Sequence, residues 1–246
     1  MNQTMREAGR QVITAGYDQT RILDATRQAQ TLSETLECID QLQAQLAGLK
    51  LHIISEAFAC GATTVIDWDS PQTVVSFAQA GLPMSDPDYF AAFVLDHILG
   101  GGGFSSRLMD EIREKRGLTY GVGTGLANKV LGETWQGGMA TANDKTAEAV
   151  ALVREVVGKI REGVTDKELA DAKTYLTGEY PLRFDGNGKI AGILTGMQLM
   201  GMPQDYVNTR NARITAVTLD DVKRVAERLL DSKKLEFVLV GRPVGL

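Results

Sequence analysis

The chain has 246 residues, 43% of them hydrophobic and 23% charged, and a formal charge of -5, which suits one large globular domain plus an extension with a sizeable core. The acidic balance excludes a nucleic-acid partner, because phosphate neutralisation needs clustered Lys and Arg and no basic stripe is present. No apolar run nears the roughly 18 to 20 residues that span a bilayer, and the first 30 residues lack the apolar core of a signal peptide. The expectation is a soluble chain with no membrane partner, cytoplasmic by default, the periplasm remaining open if the chain is truncated.

Residues 1–30 are polar and rich in Gln, Thr and Arg, without sustained apolar periodicity, and read as a loosely ordered or marginally helical lead-in. From Leu32 the pattern sharpens. Leu32, Leu36, Ile39, Leu42, Leu46 and Leu49 recur at steps of three and four and place one apolar stripe along a helix, packed either on its own domain or as a short coiled-coil seam with another chain. The two cysteines, Cys38 and Cys60, are too few for a disulfide framework and lack metal-ligand spacing, so free thiols are expected.

Strands are predicted over 62–67 and 73–79, separated by the turn-forming Asp69-Ser70-Pro71. Ser85-Asp86-Pro87 then supplies a cap and a first-turn proline for a helix that is apolar on most sides through Phe90, Phe93, Val94, Leu95, Ile98 and Leu99. The stretch from Gly100 to Asn128 is the unit around which the chain is organised. Four glycines, Gly100 to Gly103, remove every Cβ and permit positive φ and close backbone approach. A short helix follows, N-capped by Ser105 or Ser106, with Leu108 and Ile112 on one face and a stop at Gly117. Leu118, Tyr120, Val122, Thr124 and Leu126 then alternate with Thr119, Gly121, Gly123 and Gly125. The reading is a strand with Tyr120 on its packed face and an opposite face nearly bare of side chains.

A strand over 133–141 is predicted to close a hairpin with 118–127. Beyond it, Asp144 opens a helix with its stripe on Ala147, Val150, Val153, Val157 and Ile160. Thr165 and Glu168 form a capping box for the next helix, which Pro181 ends. A small-residue helix runs to about Met200, where Gly192 and Gly196 would let another element approach. Helices over 203–214 and 219–230 and a last strand over 235–240 complete an α+β pattern, helices packed on one face of a mainly antiparallel sheet.

The runs IDWDSPQTVVSF, HILGGGGFSSRLMDEIREKRGLTYGV and ELADAKTYLTGEYPLRFDGNGKIAG together resemble the carboxyl half of the pitrilysin (insulinase) zinc-metallopeptidase family. They are most similar to its two-subunit bacterial members and to the mitochondrial processing peptidases. The resemblance covers 61–246, leaving 1–60 outside as a partly helical N-terminal extension. It implies one half-domain of the LuxS/processing-peptidase-like metallohydrolase fold.

The catalytic half of that family is expected to carry an inverted His-x-x-Glu-His zinc motif. Here the two histidines, His52 and His97, begin and end no such motif, and both read as core or structural side chains. The resemblance therefore implies a non-catalytic half: no metal on this chain, zinc on a partner, and no hydrolysis alone. It also implies roles for two residues in REKRGLTY. Arg113 would bind substrate carbonyls and Tyr120 would stabilise the oxyanion at the partner's zinc site, roles that suit a permanently charged fork of donors and a phenol hydroxyl. By residue physics alone Arg113 is a solvated surface arginine and Tyr120 a core-rim aromatic, and Arg107 and Arg116 compete with Arg113 for the binding role. Gly100, Gly101, Gly102 and Gly103 would lie along the peptide chamber; an anion cradle is disfavoured because no Gly-Lys-Ser/Thr follows. The implied partners are a zinc-bearing homologous subunit, or a second copy, and a peptide substrate. The competing reading is a structural or assembly scaffold with the same fold.

Overall fold

The computed structural model describes residues 61–128 and 132–246. The readings on 1–60, including the leucine stripe, both cysteines and His52, lie outside the described residues.

Five strands form one sheet: β1 (Thr63–Asp67), β2 (Gln72–Ala80), β3 (Thr119–Ala127), β4 (Thr134–Ala142) and β5 (Glu236–Gly241), in the order β1-β5-β2-β4-β3. The β1–β5 pair is parallel, whereas β2–β5, β2–β4 and β3–β4 are antiparallel. The expected hairpin is the β3–β4 pair. Around the sheet lie α1 (Tyr89–Asp96), α2 (Thr146–Lys159), α3 (Asp166–Glu179), α4 (Asn187–Leu199), α5 (Tyr206–Ala216) and α6 (Leu219–Leu229). The α+β architecture is as predicted.

The sheet divides by its period of two. Thr73, Val75, Phe77 and Gln79 of β2 are buried, while Val74 on the opposite face is 51% exposed. Trp135 and Met139 of β4 and Phe237 and Leu239 of β5 point to the same buried side. There Phe77 packs against Trp135 and Phe237, with ring centroids 5.9 and 5.6 Å apart, an aromatic centre from three neighbouring strands. Gly137, paired with Phe77 across β2–β4, makes this possible, since a Cβ there would stand 2.4 Å from the Phe77 ring.

Local sequence explains the helix starts. Thr165 and Glu168 form the predicted capping box at α3, and Thr218 and Asp221 form a second one at α6. The start of α2 is displaced from Asp144: Asn143–Lys145 is a 3₁₀ turn, and the α-helix begins at Thr146. In α4 the only buried side chain is Met197. Nothing approaches within 4 Å of where a Cβ would stand on Gly192 or Gly196, so the close packing expected there is absent among the described residues. Apolar composition marks a buriable helix but does not say which neighbour arrives.

Candidate functional site

The site is built where α1 ends. Its last turns widen into a π-helix, His97–Gly101, closed by the Gly102 N–H donating to the His97 carbonyl at 2.8 Å. One inserted residue of this kind re-aims everything after it. The space beside the first three glycines is already taken: a Cβ on Gly100 would stand 2.4 Å from Thr124 Oγ1, on Gly101 2.6 Å from Asp96 Oδ2, and on Gly102 2.6 Å from the His97 carbonyl. Gly103 differs. It has φ of 59° with nothing within 4 Å, and it turns the chain so that Phe104 stands 69% exposed.

Asp96 anchors this bend. Its Oδ1 accepts from Thr124 Oγ1 of β3 and from Trp135 Nε1 of β4, both at 2.7 Å, and burial pushes its carboxyl above the usual range. Beside it His97 is buried and stacked on Tyr175 with ring centroids 5.0 Å apart, and burial pulls its pKa below the ordinary value. Among the described residues no group of three His, Cys, Asp or Glu side chains is placed to hold a metal ion. These residues do not fit a zinc ion.

Ser106 starts the next helical segment. Its backbone is extended, its carbonyl accepts from the Asp110 N–H at 3.0 Å, and its hydroxyl donates to the Gly103 carbonyl at 2.7 Å. It caps by backbone while its side chain fastens the glycine turn. The segment continues as a second π-helix, Met109–Glu114. Gly117, at φ of 61°, ends it, with its N–H donating to the Arg113 carbonyl and the Leu118 N–H to the Ile112 carbonyl, the left-handed stop that favours glycine. Leu108 and Ile112 are fully buried. Their burial fixes the rotation of the segment and leaves Arg113 on its rim, with 24% of the side chain exposed.

The strict alternation predicted for β3 fails at one place, and Tyr120 is the residue affected. Thr119 pairs with Thr141 but Val122 pairs with Met139, so β3 advances three residues while β4 advances two. That extra residue is a β-bulge. Thr119 and Val122 therefore both face inward, at 8% and 5% exposure, and Tyr120 is 90% exposed rather than packed beside Val122. The Thr119 hydroxyl fills the bulge: it accepts from the Gly121 N–H at 3.2 Å and stands 2.7 Å from the Ala140 carbonyl and 2.9 Å from that of Gly121.

Helix rim and bulge bring the two predicted residues together. The Arg113 guanidinium carbon lies 5.1 Å from the centre of the Tyr120 ring and 4.4 Å from that of Phe104, within cation–π distance of both. Among the described residues its nearest carboxylate contact is the Glu114 Oε1 to Nε distance of 3.7 Å, too long for a hydrogen bond. The competing arginines are engaged. Arg107 donates to both Glu168 oxygens at 2.7 and 2.9 Å and to the Gly163 carbonyl, and Arg116 donates to Glu111. Sequence reasoning missed Phe104, although an aromatic directly after a glycine run, where no core partner is near in the chain, is the signal that marks it. A separate cleft of about 550 Å³, lined among others by Phe90, Met202, Tyr206 and Arg213, contains none of these residues.

The described geometry can be set beside known proteins. The family model for the peptidase M16 inactive domain matches residues 29–176, a span that includes the whole Arg113–Tyr120 unit and begins within the stretch set outside the pitrilysin resemblance. Over 176 residues the chain is 32% identical to an uncharacterized zinc protease of Streptomyces coelicolor, covering 70% of this chain and 38% of that protein. Over 142 residues it is 30% identical to a non-peptidase homolog of Helicobacter pylori, covering 57% of this chain and 33% of the relative. Among solved structures, a peptidase M16 inactive domain from Pseudomonas fluorescens superposes with a TM-score of 0.67 at 34% identity, covering 74% of this chain and 44% of that one. The chain thus spans less than half the length of each. On the family match, with the fold and the motif-bearing unit in agreement, this chain belongs to the peptidase M16 inactive domain family.

Proposed function

We propose that this chain is the non-catalytic, substrate-positioning half of a zinc peptidase assembly, lending Arg113 and Tyr120 to a zinc centre held by a homologous partner chain. The observation that carries the reading is an arginine with no hydrogen-bonded carboxylate among the described residues, its guanidinium carbon 5.1 Å from the ring centre of the exposed Tyr120. An extended peptide presents carbonyl oxygens, and the in-plane N–H groups of Arg113, which meet no acceptor at hydrogen-bond distance among the described residues, suit donation to them. The Tyr120 hydroxyl, carried on a bulge outside the core, is placed to donate to negative charge that develops on a peptide carbonyl in a water-poor interface. The activated water and its base belong to the partner, so this chain alone does not cleave.

The test is peptide hydrolysis by the purified chain, by a homologous chain bearing the inverted zinc motif, and by both mixed. Cleavage is expected only in the mixture. Arg113→Ala should raise KM about 10- to 100-fold, the scale of a lost charge-assisted hydrogen bond. Tyr120→Phe should lower kcat by about 10² to 10³, as for loss of one oxyanion donor. Full activity of both variants in a competent mixture refutes the positioning role.

A second reading, a scaffold without peptidase function, is favoured by the relative named a non-peptidase homolog and by the open sheet face around Val74 and Val238. A stable complex with the homologous chain that cleaves no peptide under any condition would select it.

A further inference from the structure

We infer that Phe104 is a positioning residue for Arg113, clamping the face of its guanidinium so that the edge donors stay free for substrate; this rests on the reading of Arg113 as the substrate-contacting arginine. A long arginine side chain on a helix rim carries large rotamer freedom, and something must hold it if its donors are to meet a peptide in one geometry. The usual holder is a carboxylate. Arg107 shows the consequence, since Glu168 and the Gly163 carbonyl take its Nε and Nη2 donors. An arginine held in that way has fewer donors left to offer.

Arg113 is held differently. Phe104 lies 4.4 Å from its guanidinium carbon, nearer than the 5.1 Å to Tyr120. A ring uses the flat face of the cation and consumes none of the in-plane N–H groups. Phe104 has no polar atom to compete for the substrate carbonyl, and at 69% exposure it contributes little to the core, so core packing does not account for a ring on this turn. The backbone is arranged for it. Gly103 takes the left-handed conformation immediately before it, and the Ser106 hydroxyl ties back to the Gly103 carbonyl at 2.7 Å, which fixes the turn that carries the ring.

The experiment has two arms. In the first, side-chain ¹⁵N–¹H spectra of the full chain follow the Arg113 Nε–H resonance, assigned by its disappearance in Arg113→Lys. Phe104→Leu should shift it toward the random-coil position and speed its exchange, and Phe104→Tyr should restore it. In the second, peptide hydrolysis is measured in the mixture with the zinc-bearing homologous chain. Phe104→Leu should raise KM about two- to fivefold, the fold-change that corresponds to one exposed cation–π contact, with kcat changed less than twofold. Phe104→Tyr should rescue it, and Phe104→Leu should have no further effect in the Arg113→Ala background.

An unmoved Arg113 resonance in Phe104→Leu overturns the inference, as does an undiminished KM effect of Phe104→Leu in the Arg113→Ala background. If Arg113→Ala itself leaves KM unchanged, the underlying reading of Arg113 falls and takes the role of Phe104 with it; that case is recognised because the Arg113 variant alone reports it. A spectral shift with no change in KM, where Arg113→Ala does raise KM, also counts against it.

Discussion

Arg107, Arg113 and Arg116 sit within ten residues of one another, and what separates them is what their donors meet. Arg107 is spent on Glu168 and Arg116 on Glu111, whereas Arg113 lies against rings. At the same scale the buried carboxylate of Asp96 supports the site from beneath. Burial raises its pKa in the folded state, so folding disfavours the ionised carboxylate. Its contribution to stability is therefore most favourable at acid pH and declines as pH rises through its folded pKa. Asp96→Asn keeps an acceptor for Thr124 and Trp135 and cannot ionise, so it should match or exceed the parent in urea stability at neutral pH. Asp96→Leu leaves the Trp135 N–H unpaired and should lose about 1–3 kcal/mol. Gly137→Ala drives a methyl into the Phe77 ring and should cost about 1–3 kcal/mol in the same measurement.

The β3 bulge is the element on which the site depends. Thr119→Val keeps shape but deletes the hydroxyl that satisfies the Gly121 N–H, so the expectation is a loss of about 1–3 kcal/mol in urea unfolding. Activity of the assembled mixture should also fall, because Tyr120 no longer has a fixed exit from the strand. The α3 capping box offers a pH test. Glu168 accepts from Arg107, from the Thr165 N–H and from the Thr165 hydroxyl, with Arg107 the main cause of a pKa lowered from 4.5 to about 2. A depressed carboxylate stabilises the fold fully above its unfolded pKa and loses that contribution as pH falls from about 4.5 toward about 2. Glu168→Gln should flatten this part of the stability profile in acid titration of thermal unfolding, and Thr165→Ala should cost about 1 kcal/mol at neutral pH.

On the scale of the molecule, one sheet face carries the core and the other leaves apolar side chains open. Ile66 pairs with Val240, which pairs in turn with Val74, and Ile66 and Val74 are 48% and 51% exposed. An exposed apolar face of this kind suits an interaction surface, and the proposed assembly would place the homologous chain there. Val74→Lys should leave the melting temperature within about 2 °C, as for an exposed substitution, while weakening association measured by light scattering. Strictly monomeric behaviour of the parent at micromolar concentration, alone and mixed with the homologous chain, would count against the assembly.

Much of this was legible in residue order, because it rests on local physics. The strand over 73–79, the Thr165–Glu168 box, the stop at Gly117 and the shared face of Leu108 and Ile112 depend on neighbours a few positions away. The nearness of Arg113 and Tyr120 entered through the motif they share. What only the tertiary structure decided is which way Tyr120 points and which arginine keeps its donors. A bulge is a mismatch in the count of two strands paired across a sheet, and an ion pair such as Arg107–Glu168 joins residues 61 apart in the chain. Neither is a property of any single stretch, so each was settled only when the strands and helices met.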